Sequence, residues 1–170
     1  MKKLLVLFFA LFSLVGFAQE PEIKQTTTTY FFIRHAEKEI KNTPKNRNPL
    51  LSETGKIRAQ KWAELFSDTA VDMIYTTDYI RTRQTAKPIA ENQGLQVSLY
   101  DPRNIYDLDF QQQTKGKTVI IVGHSNTTPL FVNTILKKEK YSQINEKDYG
   151  KLFIVKITEN IITDTILNIN

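Results

Sequence analysis

The sequence predicts an α/β domain: a largely parallel sheet covered by helices on both faces, with an antiparallel hairpin at one edge. Three observations carry that prediction. Apolar runs rich in β-branched and aromatic residues recur at 29–33, 71–76, 97–100, 118–122, 151–157 and 161–167, and such runs between polar stretches read as strands. Helical patterns fill three of the gaps, and strands that alternate with helices imply parallel pairing. The last two runs are parted only by Glu159-Asn160, the spacing of a tight antiparallel hairpin.

The elements follow in order. Lys2 and Lys3 precede an almost wholly apolar stretch from Leu4 to Phe17, and Ala18 then precedes the polar Gln19-Glu20-Pro21. This is the basic, apolar and small-residue pattern of a secretory signal peptide. We therefore expect residues 1–18 to be a signal peptide cleaved after Ala18, and the chain to be exported, periplasmic or extracellular. The apolar stretch is short of the roughly 20 residues a membrane span needs; an uncleaved anchor is the alternative, and no stable membrane insertion is expected after cleavage. Thr-rich residues 19–28 read as a flexible tail, and 29–170 as one domain.

The first strand, Thr29–Ile33, runs into Arg34-His35, and a polar loop follows at 37–49. Ser52 can cap a helix running to about Phe66, with Ile57, Ala59, Trp62, Ala63, Leu65 and Phe66 as its apolar residues. Trp62, on that face, reads as core. After the strand at 71–76, Asp78 can cap a helix from about Tyr79 to Asn92, ending at Gly94. The segment 101–117 reads as a loop. The strand at 118–122 runs into Gly123-His124-Ser125, where Ser125 and Asn126 can cap a helix over about Thr128 to Lys137, with Pro129 in its first turn.

Composition narrows the function classes. The 170 residues carry a formal charge of +5, and removal of 1–18 leaves 21 basic and 18 acidic residues, or +3. That is too mild for a nucleic-acid footprint. With no cysteine, disulfides, thiolate metal sites and cysteine nucleophiles are excluded. Two histidines without cysteine argue against a closed zinc site. Nothing in the sequence speaks to oligomeric state.

The chain has two histidines, and each follows an apolar strand. The C-terminal ends of parallel strands are where open α/β sheets place their chemistry. A neutral imidazole can attack phosphorus or carry a proton. Arg34, beside His35, fits an oxyanion bidentately. Arg81 falls in the first turn of its helix and can fold back over a strand end, where the helix N-terminus also favours an anion; Arg83, two positions on, points elsewhere. Gly123 allows a close backbone approach beside His124. If these strands are neighbours, their ends make a phosphate site.

Arg34-His35-Ala36-Glu37, Leu51-Ser52-Glu53-Thr54-Gly55, Arg81-Thr82-Arg83-Gln84-Thr85-Ala86 and Gly123-His124-Ser125 occur in that order. In these motifs the chain resembles the histidine phosphatase superfamily, the phosphoglycerate-mutase-like fold. The resemblance implies a three-layer α/β/α sandwich with a phosphate pocket at the strand C-terminal ends. It implies that His35 is the nucleophile that becomes phosphohistidine, and that Arg34, Arg81 and His124 hold the phosphoryl oxygens. It implies an acid in the loop before the second histidine strand, where Asp107 matches the family position best and Asp109 is the alternative. It also suggests Asn42 as a further phosphate ligand, although its spacing is one residue longer than usual. Ala36 stands where most members have glycine, as in the short phosphohistidine-phosphatase-like members. Glu37 reads as structural.

The expected function is hydrolysis of a small phosphorylated substrate by an exported phosphomonoesterase, without metal or organic cofactor. A phosphohistidine protein phosphatase and a non-catalytic phosphate-binding module of the same fold are the alternatives.

Overall fold

The computed structural model describes residues 26–40 and 47–169. The expected signal peptide, most of the expected tail and Asn42 lie outside the described residues. In chain order the elements are β1 (Thr27–Arg34), α1 (Glu53–Leu65), β2 (Met73–Thr76), α2 (Ile80–Gln93), β3 (Val97–Leu99), α3 (Leu108–Thr114), β4 (Thr118–Gly123), α4 (Thr127–Leu136), β5 (Lys151–Thr158) and β6 (Ile161–Asn168). The strands form one six-stranded sheet in the order β3-β2-β4-β1-β5-β6. Pairing is parallel from β3 through β2 and β4 to β1, then antiparallel across β5 and β6.

Side-chain alternation makes the three layers. Tyr30, Phe32, Val119 and Ile121 point to one face, where they pack on Phe131, Val132 and Ile135 of α4 and on Phe110 of α3. Ile33, Ile120 and Val122 point to the other face, against Trp62 and Phe66 at α1 and Ala86 and Ile89 of α2. Strands covered on both faces need the near-continuous apolar runs read above. Full burial of each large side chain contributes roughly 1.5–3 kcal/mol. The hairpin expected at Glu159-Asn160 is present, with Glu159 in the left-handed region at φ 55°.

Several local expectations need correction. Asp78 does not cap α2: Tyr79 holds the N-cap position without a side-chain bond, and the Asp78 carboxylate pairs with Arg83 at 2.7 Å. Asn126 holds the N-cap position of α4 as expected but makes no side-chain capping bond, and Ser125 does not cap: its hydroxyl turns to Glu146, while Thr127 Oγ1 accepts from the His124 amide at 3.0 Å. The segment 101–117 is not all loop, because it contains α3.

Ser52 caps α1, accepting from the Gly55 amide at 3.1 Å. The same turn holds the chain beyond β1, since the Ser52 amide donates to the Glu37 carbonyl at 2.9 Å. Gly55 is required there: a Cβ on it lies 2.0 Å from the Glu37 carbonyl oxygen. In an ordinary helix Gly→Ala is stabilising by about 1 kcal/mol. We expect Gly55→Ala to destabilise the fold by about 2 kcal/mol instead, through overpacking. Urea unfolding of the two proteins decides between the signs.

Candidate active site

The parallel register between β1 and β4 brings the two histidines together. Arg34 is the register partner of Gly123, so His35 and His124 leave neighbouring strands side by side. The His35 amide donates to the Gly123 carbonyl at 2.9 Å, and the two rings stand edge to face with centroids 5.4 Å apart. From this point α1 leaves toward one face of the sheet and α4 toward the other, so a crevice opens between them. Its cavity, of about 400 Å³, is lined by Arg34, His35, Lys38, Arg81, His124 and Glu146 among others.

The tautomers follow from the hydrogen bonds. His35 Nδ1 lies 2.7 Å from the Ala36 carbonyl oxygen, which only accepts, so Nδ1 carries the proton. The lone pair is then on Nε2, for which the described residues provide no partner. His124 Nδ1 lies 3.2 Å from Arg81 Nη2, which only donates. His124 Nε2 therefore carries the proton and gives it to Thr77 Oγ1 at 2.8 Å. Both histidines are buried and neutral. Burial is the main cause that lowers His35 to about 3, with the Arg81 charge adding to it against the opposing pull of the Ala36 carbonyl. Burial and then Arg81 lower His124 to about 4.

The backbone that carries His35 is held from several sides. Thr85 Oγ1 accepts from the Ala36 amide at 2.9 Å, and Gln84 Oε1 accepts from the Leu51 amide at 2.8 Å. Ala36 is fully buried in a small cluster with Leu51 and Ala59. Glu37 is paired with Arg58 at 2.8 Å, in the structural role expected of it. The motif around Arg81 is thus a set of side chains that fix the loop after β1.

The cations are placed differently. Arg34 is 1% exposed; its Nη1 donates to the carbonyls of Asn145, Glu146 and Asp148, and its Nη2 donates to Glu146 at 2.8 Å. The Tyr149 ring lies 4.2 Å from its guanidinium carbon. Arg81 folds back from the first turn of α2 as expected and packs on Tyr79, 4.4 Å from the ring centroid. Arg83 points away into its pair with Asp78. Among the described residues, each lining arginine keeps a buried Nε–H with no hydrogen-bond acceptor. The cluster is therefore short of acceptors as well as of negative charge.

The structure brings Arg34, His35, Arg81 and His124 together and leaves Asp107 out. Asp107 is the N-cap of α3: its carboxylate accepts from the Phe110 amide at 2.8 Å and from Asn104 Nδ2 at 2.7 Å. It does not line the cavity, and neither does Asp109. The carboxylate that does is Glu146, which sequence reasoning missed. It accepts from Ser125 Oγ at 2.5 Å, and that bond, followed by the charges of Arg34 and Lys38, holds it below the usual carboxylate range. The usable signal was topological: antiparallel β5 starts where β1 ends, so residues just before Lys151 border the site.

The comparisons with known proteins agree with this geometry. The profile of the histidine phosphatase superfamily (branch 1) matches residues 30–102. No curated protein matches the sequence. Among solved structures, a protein assigned as the phosphohistidine phosphatase SixA from Agrobacterium tumefaciens is 18% identical, with TM-score 0.59 over 82% of this chain and 97% of that one. A phosphoserine phosphatase mutant from Entamoeba histolytica, in complex with phosphoserine, is 17% identical with TM-score 0.63 over 81% and 95%. Phosphoglycerate mutase from Bacillus anthracis is 10% identical with TM-score 0.65 over 84% and 93%. These likenesses establish the fold.

Two outcomes follow from the geometry. Well above pH 6.5 both histidines are neutral, folded or unfolded. Below it the unfolded chain takes up protons that the folded chain refuses until about 4 at His124 and about 3 at His35. Stability should therefore fall as pH drops from 6.5 toward 4, with a limiting slope of about 1.4 kcal/mol per pH unit for each histidine. Urea titrations across that range read the slope. For Asp107, asparagine caps as well as aspartate but cannot supply an acid. Asp107→Asn should leave phosphate release intact, whereas Asp107→Ala should cost about 1 kcal/mol of stability. A large loss of turnover in Asp107→Asn alone would return Asp107 to the chemistry.

Proposed function

We propose that this chain, with the histidine phosphatase pattern across residues 30–102, is an exported phosphomonoesterase that works through a phosphohistidine at His35. The observation that carries the reading is a neutral His35, fixed by its Nδ1–H on the Ala36 carbonyl, in a cavity lined by Arg34, Arg81 and His124.

In this mechanism a phosphate ester enters with its nonbridging oxygens among the cations. His35 Nε2 attacks phosphorus in line, forming the P–N bond as the ester P–O bond breaks; the electron pair leaves on the ester oxygen, which solvent protonates. The bond from Nδ1–H to the Ala36 carbonyl stabilises the positive charge that develops on the ring. Arg81 and Arg34 Nη2 meet the equatorial oxygens, in Arg34's case by exchanging the Glu146 carboxylate for phosphate. An anion beside His124 offsets the burial and the arginine charges that hold it down, so His124 takes up a proton and donates through Nδ1. Water then cleaves the P–N bond, releasing phosphate and restoring the neutral His35. Preorganised charge supplies most of the rate, because the donors are in place before the reaction.

A phosphohistidine substrate is the second reading. Ala36 favours it, and so does the absence of Asp107 from the cavity, since a phosphoramidate places different demands on its leaving group. Export forms part of the main proposal and rests on the pattern of residues 1–18, which disfavours a cytoplasmic phosphorelay partner.

The test is phosphate release from phosphomonoesters and from phosphohistidine, with chelator present. Activity should persist with chelator. His35→Ala should lower turnover by about a thousandfold or more and abolish an acid-labile phosphoenzyme, while His124→Ala should weaken both binding and turnover. A His35→Ala protein that works at the wild-type rate sinks the mechanism. Faster release from phosphohistidine than from every ester favours the second reading.

A further inference from the structure

Tyr79 is a wall shared by two cavities. On one side its ring meets the His124 imidazole edge-on, with centroids 4.9 Å apart. On the other side it lines a second cavity of about 650 Å³ together with Leu99, Tyr100 and Pro102. Pro102 also lines both cavities, so the second one adjoins the phosphate cradle.

The fold builds this groove from three directions. The C-terminal end of β3 delivers Leu99, which is 46% exposed although it is a large aliphatic residue. Tyr100 is tied to the end of β2 through its amide, which donates to the Thr76 carbonyl at 3.0 Å. Tyr79 enters from the N-cap of α2. The charged groups at the rim are matched in pairs: Asp101 with Arg103 at 2.7 Å, and Asp78 with Arg83 at 2.7 Å. What remains for a ligand is aliphatic, proline and aromatic surface.

The acids near the cradle point the same way. Arg103 holds the Asp101 carboxyl at about 2, and Glu146 is also held in its anionic form. Neither supplies a proton to a departing oxygen at neutral pH. A leaving group that departs as a stable anion does not need one.

We propose that the groove of Tyr79, Leu99 and Pro102 is the leaving-group subsite, and that the substrate class is aryl phosphate monoesters. The inference rests on the phosphatase reading and names its substrate class. The phosphoryl group sits in the cradle and the aromatic ring packs in the groove. As the bond from His35 Nε2 to phosphorus forms, the P–O bond to the ring breaks. The electron pair leaves on the aryl oxygen, which solvent protonates afterwards, and water completes the second step.

Two nonhydrolysable probes isolate the groove from the chemistry. Phenylphosphonate and methylphosphonate carry the same anionic head and differ in the ring. Calorimetry on the wild-type chain should show phenylphosphonate binding about tenfold tighter or more, the scale expected for burying an aromatic face. Leu99→Asn, a change at an exposed position, should reduce that ratio to within about threefold, and Leu99→Met should restore it. Equal binding of the two probes by the wild type overturns the subsite, as does a ratio that Leu99→Asn leaves unchanged. Failure of the phosphatase reading has a separate signature: both phosphonates bind, yet phenyl phosphate and acetyl phosphate release no phosphate. That result overturns the substrate assignment as well.

Discussion

The parallel ladder between β1 and β4 is the constraint on which the site depends. Parallel strands run their C-terminal ends to the same edge, and the pairing of Arg34 with Gly123 fixes what meets there. One register step in either strand turns every side chain to the opposite face. Such a slip puts Tyr30 and Phe32 among the partners of Trp62 and Phe66, and it separates the two histidines. The apolar alternation that builds the two cores therefore also holds the register of the chemistry. Gly123 adds a local requirement, because a Cβ there meets Thr128 Oγ1 at 2.7 Å and Thr127 Oγ1 at 3.0 Å.

Around that ladder, loop residues serve as fasteners for the backbone next to His35. Glu37, Leu51 and Ala36 are held by Ser52, Gln84 and Thr85, the first from the cap of α1 and the other two from α2. Those bonds hold the backbone whose Ala36 carbonyl fixes the His35 ring in one tautomer. Crowding cations beside a buried imidazole is unfavourable for its charged form, and the same crowding keeps the Nε2 lone pair free at neutral pH.

Much of this was legible in the residues. The strands announced themselves through apolar runs, and Ser52 and Gly94 marked real helix ends. The Glu159-Asn160 hairpin was legible too, but not that its first strand pairs with β1, because strand order is set by packing between distant segments. Helix α3 was hidden because its seven residues include three glutamines and no amphipathic period, leaving only the Asp107 cap as a sign. The cap itself was read as chemistry, since an aspartate looks alike in either role until its partners are seen. Glu146 lies in a polar stretch indistinguishable by composition from a solvated loop. Its place was decided by the antiparallel direction of β5, and its partner Arg34 is more than a hundred residues away in the chain.

The contact between Arg34 and Glu146 bears on how a ligand is admitted. A buried guanidinium left without a counter-ion tends to open its surroundings to solvent. Here a carboxylate of the same chain serves as placeholder, so Arg34 is oriented by three carbonyls and one anion. On the proposed mechanism, arrival of a phosphoryl group is a swap of one anion for another. The arginine need not be recruited or turned, and the incoming group must outcompete a tenant carrying a single charge. On the proposed phosphatase reading, a doubly charged phosphoryl group would meet that threshold more readily than a singly charged carboxylate, and the placeholder would act as a filter as well as a support.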